Sequence, residues 1–563
     1  MSNRTIARQF IEKHTGSFGM VKGVETSTAA FVGPTLKGPV GGEPVLVTSF
    51  EAYSQIYGGL DDLNFGQGGV TNYIAHSVFN YFANGGERLY VARVYSPCET
   101  KGYAHSGILG GDADNHRNIV FRATSPGRFG NSLQVTLTLT QNSVVRNAVS
   151  GSLMYANGRF YVRGKTGWLD QRGEAYGGGA TKKVLVTANV VVRSASGEET
   201  FYENLGLAAA HPRYIGDILT ARTATECDDA GQELALVIGS RVSAFRLYSI
   251  LRTLHGAPFR LCGGRDGAEP MAESYQRPLR SLAEVAEIAM VAAPGHTRFS
   301  AWEGIRQRLL DYADADHSYC FAVLDPRPGL TPKAVLRDRQ SLHSVNAALF
   351  YPWLVADHPL AQRLNPHIPK EVILPPSGFI CGLYARCDNA HGVHQPPTTE
   401  LVRGAVQYEH DISPVHLERL NELGVNSPLL MHRQGNQAQP AQTTSAKKDE
   451  WRYVSERRYF LYLKHSIERS TQWVKDERST EEMWETLSRQ VSTFLHTEWR
   501  AGHLAGHSAD EAFFVCCDHS TMEAGDIENG RVVMMIGFAT RKPIDFNIFW
   551  VHHQALTAAE PAR

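Results

Sequence analysis

After Pro543 the chain alternates: Ile544, Phe546, Ile548 and Trp550 fall on one side, Asp545 and Asn547 on the other. Period-two alternation of this kind predicts a half-buried β-strand. Only Ala555 to Arg563 follow, a small polar tail with no element to cover such a strand. An uncovered apolar edge strand invites pairing with another chain.

Upstream, the run GVETSTAAFVGPTLKGPVGGEPVLVTSFEAYSQIYGG (23–59) predicts two strands broken by Gly-Pro turns, then a short helix from Ser49. NYFANGGERLYVARV (80–94) reads as a helix ending at Asn84-Gly85-Gly86, followed by a buried strand. Short β-type runs (NSLQVTLTLT, GRFYVRG, KKVLVTANVVVRS) fill 98–205 and alternate with Gly, Asn and Ser turns, as an inserted all-β module does. From 206 helix and strand alternate again: ELALVIG, VAEIAMVAAPG and SYCFAVLDPRP are buried-strand runs of a layered α/β domain. Near the carboxy terminus, Ser479 opens STEE, a capping box with Glu482, ahead of an apolar helical stripe. That stripe is Met483, Trp484, Leu487, Val491, Phe494 and Leu495, and Gly502 ends it. A second helix is expected in SERRYFLYLKHSIERS, and an exposed loop in HRQGNQAQPAQTTSAKKDE (432–450).

At 563 residues the chain is long enough for about three to four domains. Hydrophobic residues at 42% and charged residues at 20% describe a globular protein. A formal net charge of -1 provides no global field to attract nucleic acid or an acidic membrane, and removes the self-repulsion that separates copies. The eight cysteines have no CxxC spacing and are expected to be buried reduced thiols. MSNRTIARQFIEK lacks a signal core and no apolar run approaches a membrane span, so synthesis in a cytoplasm without cleaved-signal export is expected.

Active-site chemistry finds little footing. GRFYVRGKT (158–166) has five residues between its glycines where a phosphate loop needs four. GSFG and GHSAD do not complete a nucleophile elbow. The pairs His391/His394 and His552/His553 and the trio His496/His503/His507 lack metal-ligand spacing. No catalytic, cofactor-binding or metal residues are assigned. The alternative from another class is an α/β hydrolase-like enzyme, which the layered pattern alone permits.

Several stretches together resemble the tail sheath proteins of contractile phages and phage-derived contractile injection systems. They are the 23–59 block, YFANGGERLYVARV, SPGRFGNSL, NAALFYPWL, PPSGFICGLYAR, EWRYVSERRYFLYLKHSIE, TQWV and FVCCDHSTMEAGDIENGRVVMMIGFATRKPIDFNIF, in this order over some 530 residues. Where the family often opens on a PGVY-type strand, this chain has RQFIEK; where it tends to carry a WGART-like segment, this chain has QPAQTTSAKKD.

The resemblance implies an α+β multidomain fold: an α/β layered, subtilisin-like core, an inserted β-rich module, an α+β carboxy-terminal domain and extended terminal arms. The implied boundaries are an arm over 1–22, the first part of the core over 23–97, the sandwich-like insertion over 98–205, the α/β core over 206–425, the carboxy-terminal domain over 426–540 and an arm over 541–563. It implies a helical contractile sleeve around an inner tube, assembled on a baseplate, which shortens to drive the tube through a target envelope. Partners would be further copies of the chain, the inner tube protein, and baseplate and terminator proteins, with a sheath-associated ATPase as a further candidate. Neither nucleic acid nor membrane insertion is implied. The particle would be a phage tail or injection machine made in a bacterial cytoplasm. A neighbouring copy would cover Ile544, Phe546, Ile548 and Trp550 by strand donation, and Phe10 and Ile11 would mark an amino-terminal arm strand. The implied arrangement turns Glu481, Glu485 and Arg489 toward the inner tube; an ordinary solvated helix face explains them equally.

Overall fold

AAFVG and FAVL are runs without polar positions, and such runs are buried on both faces. In the structure, a computed structural model, they become the centre of a seven-stranded sheet. Residues 19–556 are described, except 42–43, 67, 98–101, 110–114, 144, 146–147, 180–181, 196, 221–231, 317, 362–367, 431–438, 446–450 and 541–543. The sheet order is Val45–Val47, Leu89–Arg93, Ala29–Gly33, Met290–Ala292, Phe321–Leu324, Ala347–Phe350, Val425–Asn426. Only the Val45–Val47 edge runs antiparallel to its neighbour.

Alternate residues feed two cores. Phe31, Met290 and Ala292 face one side, with the Tyr73–Ala83, Ser377–His391 and Val454–Ser470 helices. Val32 and Val291 face the other, with the Ala272–Leu282 and Trp302–Ala313 helices. The Tyr73–Ala83 and Ser377–His391 helices touch through glycine: a Cβ on Gly382 would sit 2.4 Å from the Tyr81 carbonyl oxygen.

The β-rich module leaves the core after Leu89–Arg93 and has its own hydrophobic cluster. Its centre is Lys183–Arg193, paired with Gln134–Asn142, Leu153–Ala156 and Glu199–Leu205. The expected boundary at 205 lies inside this body. Leu234–Ile238, read as a core strand, pairs with Ile119–Ala123, and Phe259–Arg260 pairs with Gln134–Asn142. Leu219, Leu247 and Leu261 fill the same cluster, and a Ser96–Ala268 bridge closes the module where it returns to the core. The strands were legible in the sequence; their partners were not.

The loop expected to be exposed at 432–450 also differs in its described part. Gln442, Thr443 and Thr444 are buried. The Thr444 N–H donates to the Ala347 carbonyl at 2.7 Å, and its hydroxyl donates to the Ser344 carbonyl. Hydrogen bonds rather than apolar side chains hold the segment down, so hydrophobic patterning gave no sign of it. Four of the described free cysteines (Cys320, Cys381, Cys387 and Cys517) are buried as expected, whereas Cys262 is exposed and Cys516 half-buried.

Candidate assembly surface

The carboxy-terminal body shares the first of the two cores. The Val454–Ser470 helix, hereafter the hub helix, and the Glu481–Arg500 long helix pack beneath a sheet of Phe513–Cys516, Arg531–Ala539 and Phe546–Gln554. All six residues of the predicted apolar stripe on the long helix are buried. Its cap is one residue later than read: the Thr480 hydroxyl accepts from the Met483 N–H, while Ser479 Oγ accepts from Trp484 Nε1. Glu481, Glu485 and Arg489 lie exposed on the opposite face, and Glu481 meets His519 at 2.9 Å.

The terminal strand, Phe546–Gln554, pairs along its whole length with Arg531–Ala539 of the same chain. The expectation that its partners lie only in another copy is corrected on this point: one side of its ladder is made within the chain, while its outer side pairs with no described strand. The inward residues are Phe549, Val551 and His553, and His553 Nε2 lies 2.7 Å from the Thr471 hydroxyl. The row singled out from the sequence faces outward instead. Ile548 is 53% exposed and Trp550 45%, and Ile544, just before the strand, is 66%. Phe546 is half-buried, its ring perpendicular to Phe514 at 5.1 Å.

Register extends the apolar row across the sheet: Ile548 sits opposite Gly537, and Trp550 opposite Met535. Phe514 lies over Gly537, where a Cβ would come within 2.1 Å of its ring, so only glycine lets that ring cross the sheet. The terminal strand is the sheet's edge. Single exposed apolar residues need no explanation; a row of them on an edge strand is a candidate for contact with another chain. Ile544 holds φ at 68°, costly for a β-branched residue, and its N–H is tied to the Glu511 carbonyl.

At the other chain end, the segment from Gly19 runs along the hub helix. The Lys22 and Val24 N–H groups donate to Ser470 and Ser466 hydroxyls, and Arg458 Nη2 donates to the Thr26 carbonyl. Met20, Lys22, Arg88, Glu287, Arg469 and Trp473 help line a groove of 1040 Å³ there. Phe10 and Ile11 lie outside the described residues.

One cluster bears on the hydrolase alternative and was not singled out from the sequence. At the carboxy ends of two central strands stand His296 and Asp325, with Ser377 at the start of its helix. Ser377 donates through its hydroxyl (2.7 Å) and its N–H (2.9 Å) to Asp325, and the Gly295 N–H also reaches that carboxylate. A nucleophilic triad needs an accessible serine bonded to histidine. Here the serine bonds to aspartate, His296 Nδ1 sits 2.6 Å from the Ala293 carbonyl oxygen, and all three residues are buried. Burial pushes the Asp325 carboxyl up to about 7. The cluster caps a helix. Among the described residues no group of three or more His, Cys, Asp or Glu is arranged to hold a metal, and no helix is long and apolar enough to cross a membrane.

No family model matches the chain, and no curated protein matches it. Among solved structures it is similar to the sheath tail protein of Listeria innocua, at 12% identity and a TM-score of 0.55, over 95% of this chain and 96% of that one. The sheath tail protein of Desulfitobacterium hafniense matches at 11% identity and 0.54, over 98% and 100%. A chain of the anti-feeding prophage baseplate in its contracted state matches at 15% and 0.52, over 99% of each. The α+β multidomain fold of the described residues is therefore similar to that of sheath tail proteins.

Proposed function

We propose that this protein is a structural subunit of a contractile sheath, polymerising into a helical sleeve whose shortening drives an inner tube through a target envelope. The observation that carries the reading is the outward row Ile544, Ile548 and Trp550 on an edge strand of a chain with the sheath tail protein fold. Another copy covers that row, burying apolar side chains worth about 1.5–3 kcal/mol each when fully removed from water. One such contact is weak. A lattice that closes several per subunit is stable, because each further contact forms at high effective concentration.

Within that sleeve the exposed Glu481, Glu485 and Arg489 face the inner tube, and baseplate and terminator proteins hold the two ends. A sheath-associated ATPase is a further partner. Particles are assembled in a bacterial cytoplasm. The work of contraction comes from subunit surface buried in the shorter state, with no nucleotide consumed. Negative-stain microscopy of the purified full chain tests the reading: rods or rings of repeating subunits support it. A protein that stays monomeric across concentration and salt, with or without tube protein, overturns it.

A further inference from the structure

Where the carboxy-terminal body meets the core, two imidazole rings lie face to face. His394, on the loop after the Ser377–His391 helix, stacks on His503, just past the long helix, with ring centroids 3.9 Å apart and planes 29° apart. His503 Nδ1 is 2.8 Å from Glu498 Oε2. The same buried carboxylate accepts from the Tyr459 hydroxyl at 2.9 Å and the Tyr462 hydroxyl at 3.2 Å, both on the hub helix. Tyr462 in turn closes against Gly23, where an added Cβ would lie 2.3 Å from its hydroxyl. Core loop, both helices and the amino-terminal segment therefore meet at one polar knot.

We propose that the His394–His503 stack on Glu498 is an acid-sensitive latch between the core and the carboxy-terminal body. The rings meet each other, Glu498 from the long helix and Tyr459 from the hub helix, and Tyr462 of the hub helix reaches the same carboxylate. Burial and the neighbouring carboxylate keep both phenols protonated, so they donate to Glu498 and supply no charge of their own. Glu498 thus offers one compensating charge to two imidazoles. A proton on His394 would lie flat against the His503 ring, within a buried stack whose one carboxylate contact is Glu498, and that setting disfavours a cation there.

Burial and the adjacent His503 already hold His394 below the ordinary imidazole range. A freed, hydrated His394 titrates near ~6.5. The opened state therefore binds more protons than the closed one in mild acid, and closure weakens as pH falls through that range. Opening separates the 392–394 loop from the 498–503 turn and removes the support under Tyr462, beside the root of the amino-terminal segment. This inference concerns the single chain and does not rest on the sheath reading.

Hydrogen exchange of the full-length chain at pH 7.5 and pH 5.5, corrected for intrinsic rates, is the test. The expected result is at least a tenfold rise in opening of amides in 392–396 and 498–506 at the lower pH, ahead of the Phe321–Leu324 strand. His394→Phe keeps a stacked ring but cannot take the proton, so the local rise should disappear. Should that variant fold poorly, His394→Gln provides the same comparison. The proposal is overturned if these segments open in step with the central strand, or if a folded variant opens in acid as the parent does.

Discussion

Arg458 Nη2 lies 2.6 Å from Asp388 Oδ2, and the two side chains are 3% and 2% exposed. The pair joins the hub helix to the Ser377–His391 helix, and the Thr26 carbonyl takes a further donation from the same guanidinium. Removing one member of a buried pair strands the other charge, which costs about 3–5 kcal/mol, whereas replacing both by apolar groups is often nearly neutral. Asp388→Leu alone should therefore lower the urea midpoint sharply, and Asp388→Leu with Arg458→Met should recover most of it. Equal losses in single and double variants would contradict this account.

Asp325 makes a prediction of opposite sign to the histidines. Its carboxyl is pushed up to about 7 by burial, against ~3.9 unfolded. From pH 4 to 7 the folded chain holds a proton that the unfolded chain lacks, so this group's contribution to stability falls as pH rises. Burial lowers His76 to about 3, and His296, His465 and His553 to about 4. Their contributions are lost as pH falls below ~6.5. The two trends oppose each other between pH 5 and 7. Asp325→Asn removes one of them, so its stability should rise over that interval by about 2 kcal/mol more than the parent's. Urea unfolding at pH 5, 6 and 7 measures the difference, and parallel profiles would refute it.

On the proposed function, the two faces of the terminal strand would separate folding from assembly. Truncation before Pro543 removes the partner of Arg531–Ala539 and uncovers Val532, Met534 and Ile536, so the truncated chain should melt early or precipitate. Ile548→Asp with Trp550→Asp touches only the outward row, and exposed substitutions generally shift stability by about 0.5 kcal/mol or less. That double variant should keep the parental Tm and lose its polymers in sedimentation and microscopy. Normal polymers from it would remove the row from the assembly surface.

Much of this was legible because the signals were local. The Ser49 cap, the Asn84 helix end, the apolar stripe from Met483 to Leu495 and the central strands are each set by a few adjacent residues. What escaped depended on partners far along the chain. Phe546–Gln554 is apolar on both faces, and alternation cannot say which row turns inward when Phe549 and Val551 compete with Ile548 and Trp550. Leu234–Ile238 has the composition of a core strand, and only its pairing with Ile119–Ala123 assigns it to the module. Ser479 and Thr480 are equivalent caps by type, and geometry chose the second. The Asp325–Ser377 contact spans 52 residues and has no local signature.

The anchoring of the two chain ends has a mechanical consequence. Lys22 and Val24 hold to Ser470 and Ser466; His553 holds to Thr471, and the Leu556 N–H to the Glu477 carbonyl. A tension applied at Gly19 and at Leu556 therefore meets in the dozen residues from 466 to 477. Its shortest route crosses neither the seven-stranded sheet nor the β-rich module. Force entering at those two points therefore has a short route along the end of one helix, beside the longer routes through the terminal ladder and the central sheet.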